Sequence, residues 1–261
     1  MAVERTFEEL VKEAVDASVD GWDFSWFEGR AREARPPWGY ARMLGERLSA
    51  LAKVPNAAAL DLQTGGGEVL AMAHTAPATL VATESWPANI EVARRNLARL
   101  GAQVVPVGDE LSDLPFEDGT FDLVVSRHPV AVPWNEVARV LKPGGTYFSQ
   151  EVGDGSVREL TEFMMGPLSE ADLSARLPHR AADAAGQAGL TVNDLRVFRG
   201  RMEFYDVAAV VHFLRKVIWI VPGFTVDAYR DRLRALHDNI QAHGPFFATT
   251  ARFLIEARQD R

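Results

Sequence analysis

From Ala57 onward the sequence alternates between short apolar runs and amphipathic segments, and this alternation constrains the fold more than any other feature. The runs are AAALDL (57–62), ATLVATE (78–84), QVVPVG (103–108), FDLVVSRH (121–128) and GTYFSQEV (145–152). Each has the length and composition of a strand. Residues 67–75, 87–100 and 134–141 read as the helices between them. Parallel strands need a crossover, and a helix packed on the sheet supplies it, so the pattern predicts an α/β fold with helices on both faces of a parallel sheet. The punctuation agrees. Pro87 suits a first helical turn, Gly101 suits a helix stop, and Gly144 and Gly145 turn the chain into the next strand.

The flanks are helical. Residues 5–18 and 39–53 carry apolar residues three and four apart, so 1–56 reads as an N-terminal helical cap segment and 57–261 as the sheet domain. After Gly155 helices are expected at 156–165 and 174–189, a strand near 191–200, a helix capped by Asp206 and running through about Lys216, and another from Thr225 to Ala242. The last strand is TTARFLIEAR. Two late strands separated by two helices predict a helical insertion at about 206–244 that forms a cap.

Composition bounds the function. The 261 residues are 47% hydrophobic, enough for a full core, yet no run approaches the roughly 18 apolar residues of a membrane span. The first residues, MAVERTFEELVKEAVD, have no apolar stretch of a secretory leader. There is no cysteine, which removes disulfides and thiolate metal sites and makes the cytoplasm the expected location. No His or carboxylate pair has convincing ligand spacing, so no metal is expected. A net charge of −8 argues weakly against nucleic acid as partner. Arg30, Arg32 and Arg35 are interspersed with Glu28 and Glu33, the pattern of a solvated mixed-charge face.

The first strand runs into three glycines, LDLQTGGGEVL (60–70). In doubly wound sheets a ligand binds outside the carboxyl ends of the strands, and the first strand–helix turn usually forms the site. A triphosphate loop needs Lys-Ser/Thr after its glycines; Glu68 stands there and repels phosphate. A dinucleotide turn needs a third glycine where Leu70 stands, which makes NAD or FAD a poor second. S-adenosylmethionine carries no phosphate. It asks for a close-approach turn and for an acid at the ribose, and a carboxylate accepts two hydrogen bonds at once. Asp61 ends the first strand and Glu84 the second, in place for both ribose hydroxyls; Trp86 is placed against adenine and Asp109 at its exocyclic amine.

ALDLQTGGGE, VATESWPANIEVARRNL, LPFEDGTFDLVVSRH and RVLKPGG, in this order and spacing over about residues 40–155, resemble a class I methyltransferase of the broad type that includes the ubiquinone/menaquinone methyltransferases. The resemblance implies a Rossmann-like doubly wound sheet of seven strands, the last antiparallel, with the cofactor over the tips of the first two. The family pattern Asp/Glu-x-Gly-x-Gly-x-Gly places Asp61, Gly65 and Gly67, but Gln63 stands for the first glycine. Gln63 must accept that glycine's backbone angle, and its amide is placed to reach the cofactor's carboxylate or amino group. Thr64, Ser85 and Arg127 complete the expected cofactor set. GDELSDLPF has one residue more than the pattern expects between acid and LPF, so Glu110 competes with Asp109 for the adenine.

Methyl transfer is a direct displacement, so alignment does most of the work, and a base helps only where the acceptor must lose a proton. The fourth strand ends Ser126-Arg127-His128-Pro129, where the acceptor is expected; His128 is the candidate base, about evenly balanced against a histidine that merely ends a strand. The Asn/Asp-Pro-Pro-aromatic sequence of many amine methylating enzymes is absent. Tyr40 and Trp38 either close over the cofactor or staple the N-terminal helices to the sheet. His212 is expected in a core or cap. The apolar stretch VIWIVPGF (217–224) reads as a lid or as the contact of a homodimer. The expected activity is S-adenosylmethionine-dependent methyl transfer to O or N of a small molecule, leaving S-adenosylhomocysteine. An RNA-modifying enzyme, or a non-catalytic protein that keeps the same cofactor, are the alternatives.

Overall fold

The structure is a computed structural model and describes residues 5–19, 24–108 and 113–260. Two compact units are present: Met1–Arg35, Asp154–Ala175 and Arg199–Ala251 form one, and Pro36–Gly153, Arg176–Phe198 and Arg252–Arg261 the other.

The first unit is mainly helical. It contains α1 (Phe7–Asp16), the short strand β1 (Ala31–Glu33), α5 (Arg158–Met165), α6 (Glu170–Ser174), α8 (Val207–Lys216) and α9 (Arg230–His243). Thr6 and Glu9 start α1 with a reciprocal capping box, and the Asp206 carboxylate accepts from Ala209 N at 2.7 Å to start α8. The core joins Phe7, Leu10 and Val11 of α1 to Val210, Leu214, Leu233, Leu236 and Ile240. His212 sits within it, stacked on Trp26 at 4.2 Å, and burial pulls its pKa down to about 4. It is a core histidine, as expected, but its Nδ1 has no hydrogen-bond partner. Arg30 is mostly covered and is taken up by Glu13 and Asp206 rather than by the acids of its own segment, unlike the solvated face expected for it.

The second unit holds α2 (Tyr40–Leu51), β2 (Ala58–Leu62), β3 (Thr79–Glu84), α3 (Pro87–Leu97), β4 (Gln103–Pro106), β5 (Phe121–Arg127), α4 (Trp134–Val140), β6 (Leu141–Val152) and α7 (Pro178–Gln187). Strands β7 (Leu190–Phe204) and β8 (Phe246–Gln259) each give residues to both units. The order is β7-β8-β6-β5-β2-β3-β4. β2 to β6 are parallel, and β8, the last strand, enters antiparallel beside β6. All seven expected strands are therefore found. An eighth, β1, pairs antiparallel with the far end of β7 (Ala31↔Phe204) and was not expected, because three residues carry no readable alternation. β2 is buried at every position, as a central parallel strand must be. One sheet face packs Leu44, Leu48, Leu97, Val125 and Phe148; the other packs Leu60, Val124, Val137, Tyr147 and Ile255.

Two expected helices changed. The segment 67–75 makes only one 3₁₀ turn, Leu70–Met72. Helices this short are marginal, and the carbonyls of Ala71 and Ala73 accept instead from the Arg99 guanidinium at 2.8 and 2.7 Å. The expected helix 174–189 is found as α7 and starts only at Pro178, because Leu177, before the proline, is held extended (φ −67°, ψ 128°); the short α6 before it was not expected.

Candidate active site

The turn after β2 is shaped by three residues in the left-handed region: Gln63 (φ 55°), Gly65 (φ 62°) and Gly67 (φ 75°). A side chain at Gly67 would also place its Cβ 2.8 Å from Leu97 Cγ. The close approach at Gly67 is thus that of α3, not only that of a ligand. Gly67→Ala should lower stability by about 2–4 kcal/mol, from the left-handed penalty plus overpacking. Chemical denaturation measures it, and a loss under about 1 kcal/mol would mean that the turn relaxes freely.

Glu84 fastens this turn to the tip of β3. Its Oε2 accepts from Gly65 N at 2.7 Å, and its Oε1 from Ser85 N and Trp86 N, each at 2.9 Å. A carboxylate has about four acceptor positions, so roughly one is left. The expected grip on both ribose hydroxyls needs one of these N–H bonds to open. Asp61, buried at the end of β2, accepts from Thr64 Oγ1 at 2.7 Å. Burial, reinforced by Glu84, raises its pKa to about 7 against the Thr64 bond. Among the described residues no side-chain cation contacts either carboxyl group. From 3.8 up to about 7 the folded chain therefore holds a proton that the unfolded chain releases, and stability falls as pH rises through that window.

This donor set tests the ligand. Two buried carboxyl groups flank a bare turn, an arrangement hostile to pyrophosphate and suited to a ligand carrying ammonium or sulfonium charge. The residues fit S-adenosylmethionine. Trp86 is half exposed beside the turn, free to lie against a flat base. Asp109 and Glu110, the two candidates for the adenine amine, lie outside the described residues.

At the tips of β5 and β6 a relay fixes a tautomer. Trp38 Nε1 donates to Gln150 Oε1 at 2.8 Å, so the Gln150 amide nitrogen faces His128 Nε2, 3.0 Å away, and donates to it. The His128 proton then sits on Nδ1. His128 is itself left-handed (φ 57°), held by its N–H on Gln150 O at 2.7 Å. Burial first, then Arg127, Arg252 and Arg176, hold its pKa well below the usual histidine range. A histidine whose lone pair is occupied and whose basicity is suppressed is a poor general base. One residue after Gln150 on β6 stands Glu151, whose pKa burial raises to about 7 against the pull of Arg176 and Ser149. Its Oε1 has no hydrogen-bond partner.

The remaining expected residues divide clearly. Thr64, Gly65, Gly67, Glu84 and Ser85 converge with Asp61 on the turn. Arg127 lies exposed at the tip of β5. Tyr40 is buried, stacked on Phe148 at 5.1 Å, and gives its proton to Ser126 O at 2.8 Å. That bond, with the one from Trp38, supports the staple rather than a hydrogen bond to the cofactor. Gln63 turns its amide away from Asp61: Nε2 donates to Ala131 O at 2.7 Å and Oε1 accepts from Val130 N at 2.8 Å. Glu151, Gln150, Arg176 and Arg252 were not singled out from sequence. The available signal was an acid at the carboxyl end of the fifth strand, in YFSQEV.

Comparison with known proteins bears on the family and the fold. A profile described as "Methyltransferase domain" matches residues 59–145. An uncharacterised protein of Mycobacterium tuberculosis is 29% identical over 208 residues, 71% of this chain and 72% of that one. The sterol methyltransferase-like 3 protein of Botryococcus braunii is 30% identical over 155 residues, 54% of this chain and 39% of that one. Among solved structures, the YcgJ protein of Bacillus subtilis shares the fold with a TM-score of 0.56 at 17% identity, covering 84% of this chain and 99% of that one.

Proposed function

We propose that this chain, which belongs to the class I S-adenosylmethionine-dependent methyltransferases, methylates an oxygen atom of a small-molecule acceptor. The observation that carries the cofactor half is the Asp61–Glu84 pair around a glycine turn. When bound there, the cofactor supplies a methyl group already activated for displacement. Asp61 would face its positive end, Glu84 would accept from the ribose, and Trp86 would cover the adenine.

The acceptor half rests on charge. Three guanidinium groups act on His128. A protonated amine is repelled there, while a hydroxyl that gains negative charge is stabilised. His128 Nδ1–H donates to the acceptor oxygen and orients it. The bound cofactor would supply the methyl carbon to that oxygen, with the C–S electron pair left on sulfur. The hydroxyl proton passes to Glu151 Oε1. A carboxyl group with a pKa near the working pH suits this role. A relative named for sterol methylation supports a small-molecule acceptor.

Calorimetry tests the cofactor half. S-adenosylmethionine and S-adenosylhomocysteine should bind and NAD should not. Affinity for S-adenosylmethionine should rise up to roughly tenfold from pH 6 to 7.5 as Asp61 loses its proton. Asp61→Asn should flatten that rise. Binding of NAD, or a pH dependence of the opposite sign, would overturn the reading.

A further inference from the structure

Gln63 occupies a position where backbone geometry favours glycine, and its side chain does something a glycine cannot. Its amide pairs with backbone groups of two consecutive residues, accepting from Val130 N at 2.8 Å and donating to Ala131 O at 2.7 Å. These two bonds also fix which end of the amide is oxygen. The segment it holds begins at His128, itself left-handed, and continues through the buried Pro129 to Val130, which is 74% exposed. Gln63 lies one residue before Thr64, which donates to Asp61, and two before Gly65, whose N–H is on Glu84. One side chain thus ties the turn proposed for the cofactor to the loop proposed for the acceptor.

We propose that Gln63 is a positioning residue that couples the two: filling the β2 turn orders the loop His128–Ala131 through the Gln63 amide, so that the acceptor side is assembled when the cofactor is in place. This rests on the cofactor reading above for the identity of the ligand, but not for the existence of the tie. The tie is short and bidentate, and both partners are backbone atoms, so motion of Gln63 is transmitted to the loop rather than absorbed by a flexible side chain. Coupling of this kind is reciprocal. A loop held in place keeps Gln63, and with it the turn, in the left-handed conformation.

Amide hydrogen exchange followed by NMR tests this without an acceptor. The probe is S-adenosylhomocysteine, and the proteins are the full chain and its Gln63→Ala and Gln63→Gly variants. Gln63→Gly relieves the backbone and guards against a variant that merely fails to fold. Without the probe, the Val130 amide should exchange roughly tenfold faster in both variants than in the wild type. With the probe, exchange at Val130 should slow further in the wild type and stay unchanged in the variants, while affinity for the probe falls in the variants by about the factor of that slowing. Equal Val130 exchange in the wild type and Gln63→Gly would show that the tie is absent in solution. Equal slowing by the probe in all three proteins would show that the coupling runs elsewhere. A wild type that does not bind the probe overturns the coupling and the cofactor reading together, and the probe-free comparison still judges the tie.

Discussion

Glu151→Gln lowers the rate of S-adenosylhomocysteine release with a hydroxyl acceptor by about 10²–10⁴-fold, while S-adenosylhomocysteine binds as it does to the wild type. The expectation follows from what is left uncommitted at the strand tips. His128 has its acceptor nitrogen filled by Gln150 and is held neutral by burial and three arginines. Glu151 has an oxygen with no partner and a pKa pushed up to about 7. The wild type should gain activity as pH rises through that value, because the ionised carboxylate is the base. Glutamine cannot ionise, so the variant should lose that limb of the pH profile along with its rate. His128→Gln serves as the contrast: loss of an orienting donor costs less and leaves the limb in place. If Glu151→Gln keeps the wild-type pH profile, Glu151 is not the base, and cofactor binding still judges the methyltransferase reading separately.

Glu84→Ala should remove measurable cofactor binding and about 2–4 kcal/mol of stability together. The carboxylate accepts from three backbone N–H groups on two separate loops. Each buried donor left without an acceptor costs about 1–3 kcal/mol, less where water reaches it. Water can replace the bonds at Ser85 and Trp86, which are partly exposed, more readily than the one at Gly65, which is buried. The loss at Gly65 frees the turn, and a turn that must be ordered on binding weakens the ligand further. Urea denaturation and calorimetry read the two effects. Glu84→Gln keeps one acceptor oxygen and sets an amide nitrogen against a backbone N–H, so it should fall between alanine and the wild type. An alanine variant that unfolds at the wild-type urea concentration and keeps its affinity within twofold would show that Glu84 fastens nothing.

The sequence by itself determined the order of the elements, the parallel strands, the glycine turn and the acids at the ends of β2 and β3. These are local properties: strand length, apolar spacing and the positions of glycine and proline follow from neighbours along the chain. Local spacing failed where local preference was weak, at the three-residue β1 and at the short run after Gly67. Tertiary structure alone decided which polar atoms are already spoken for. The tautomer of His128 depends on Trp38, 112 positions from the glutamine it contacts, and Gln63 pairs with a peptide 68 positions away. Glu84 looked like a free acid and proved to hold two loops together, while Glu151 looked like the end of a strand and proved to have an unpartnered oxygen. A hydrogen bond has two ends and only one of them is written at any position of the sequence, so the choice between an occupied group and a free one belongs to the fold.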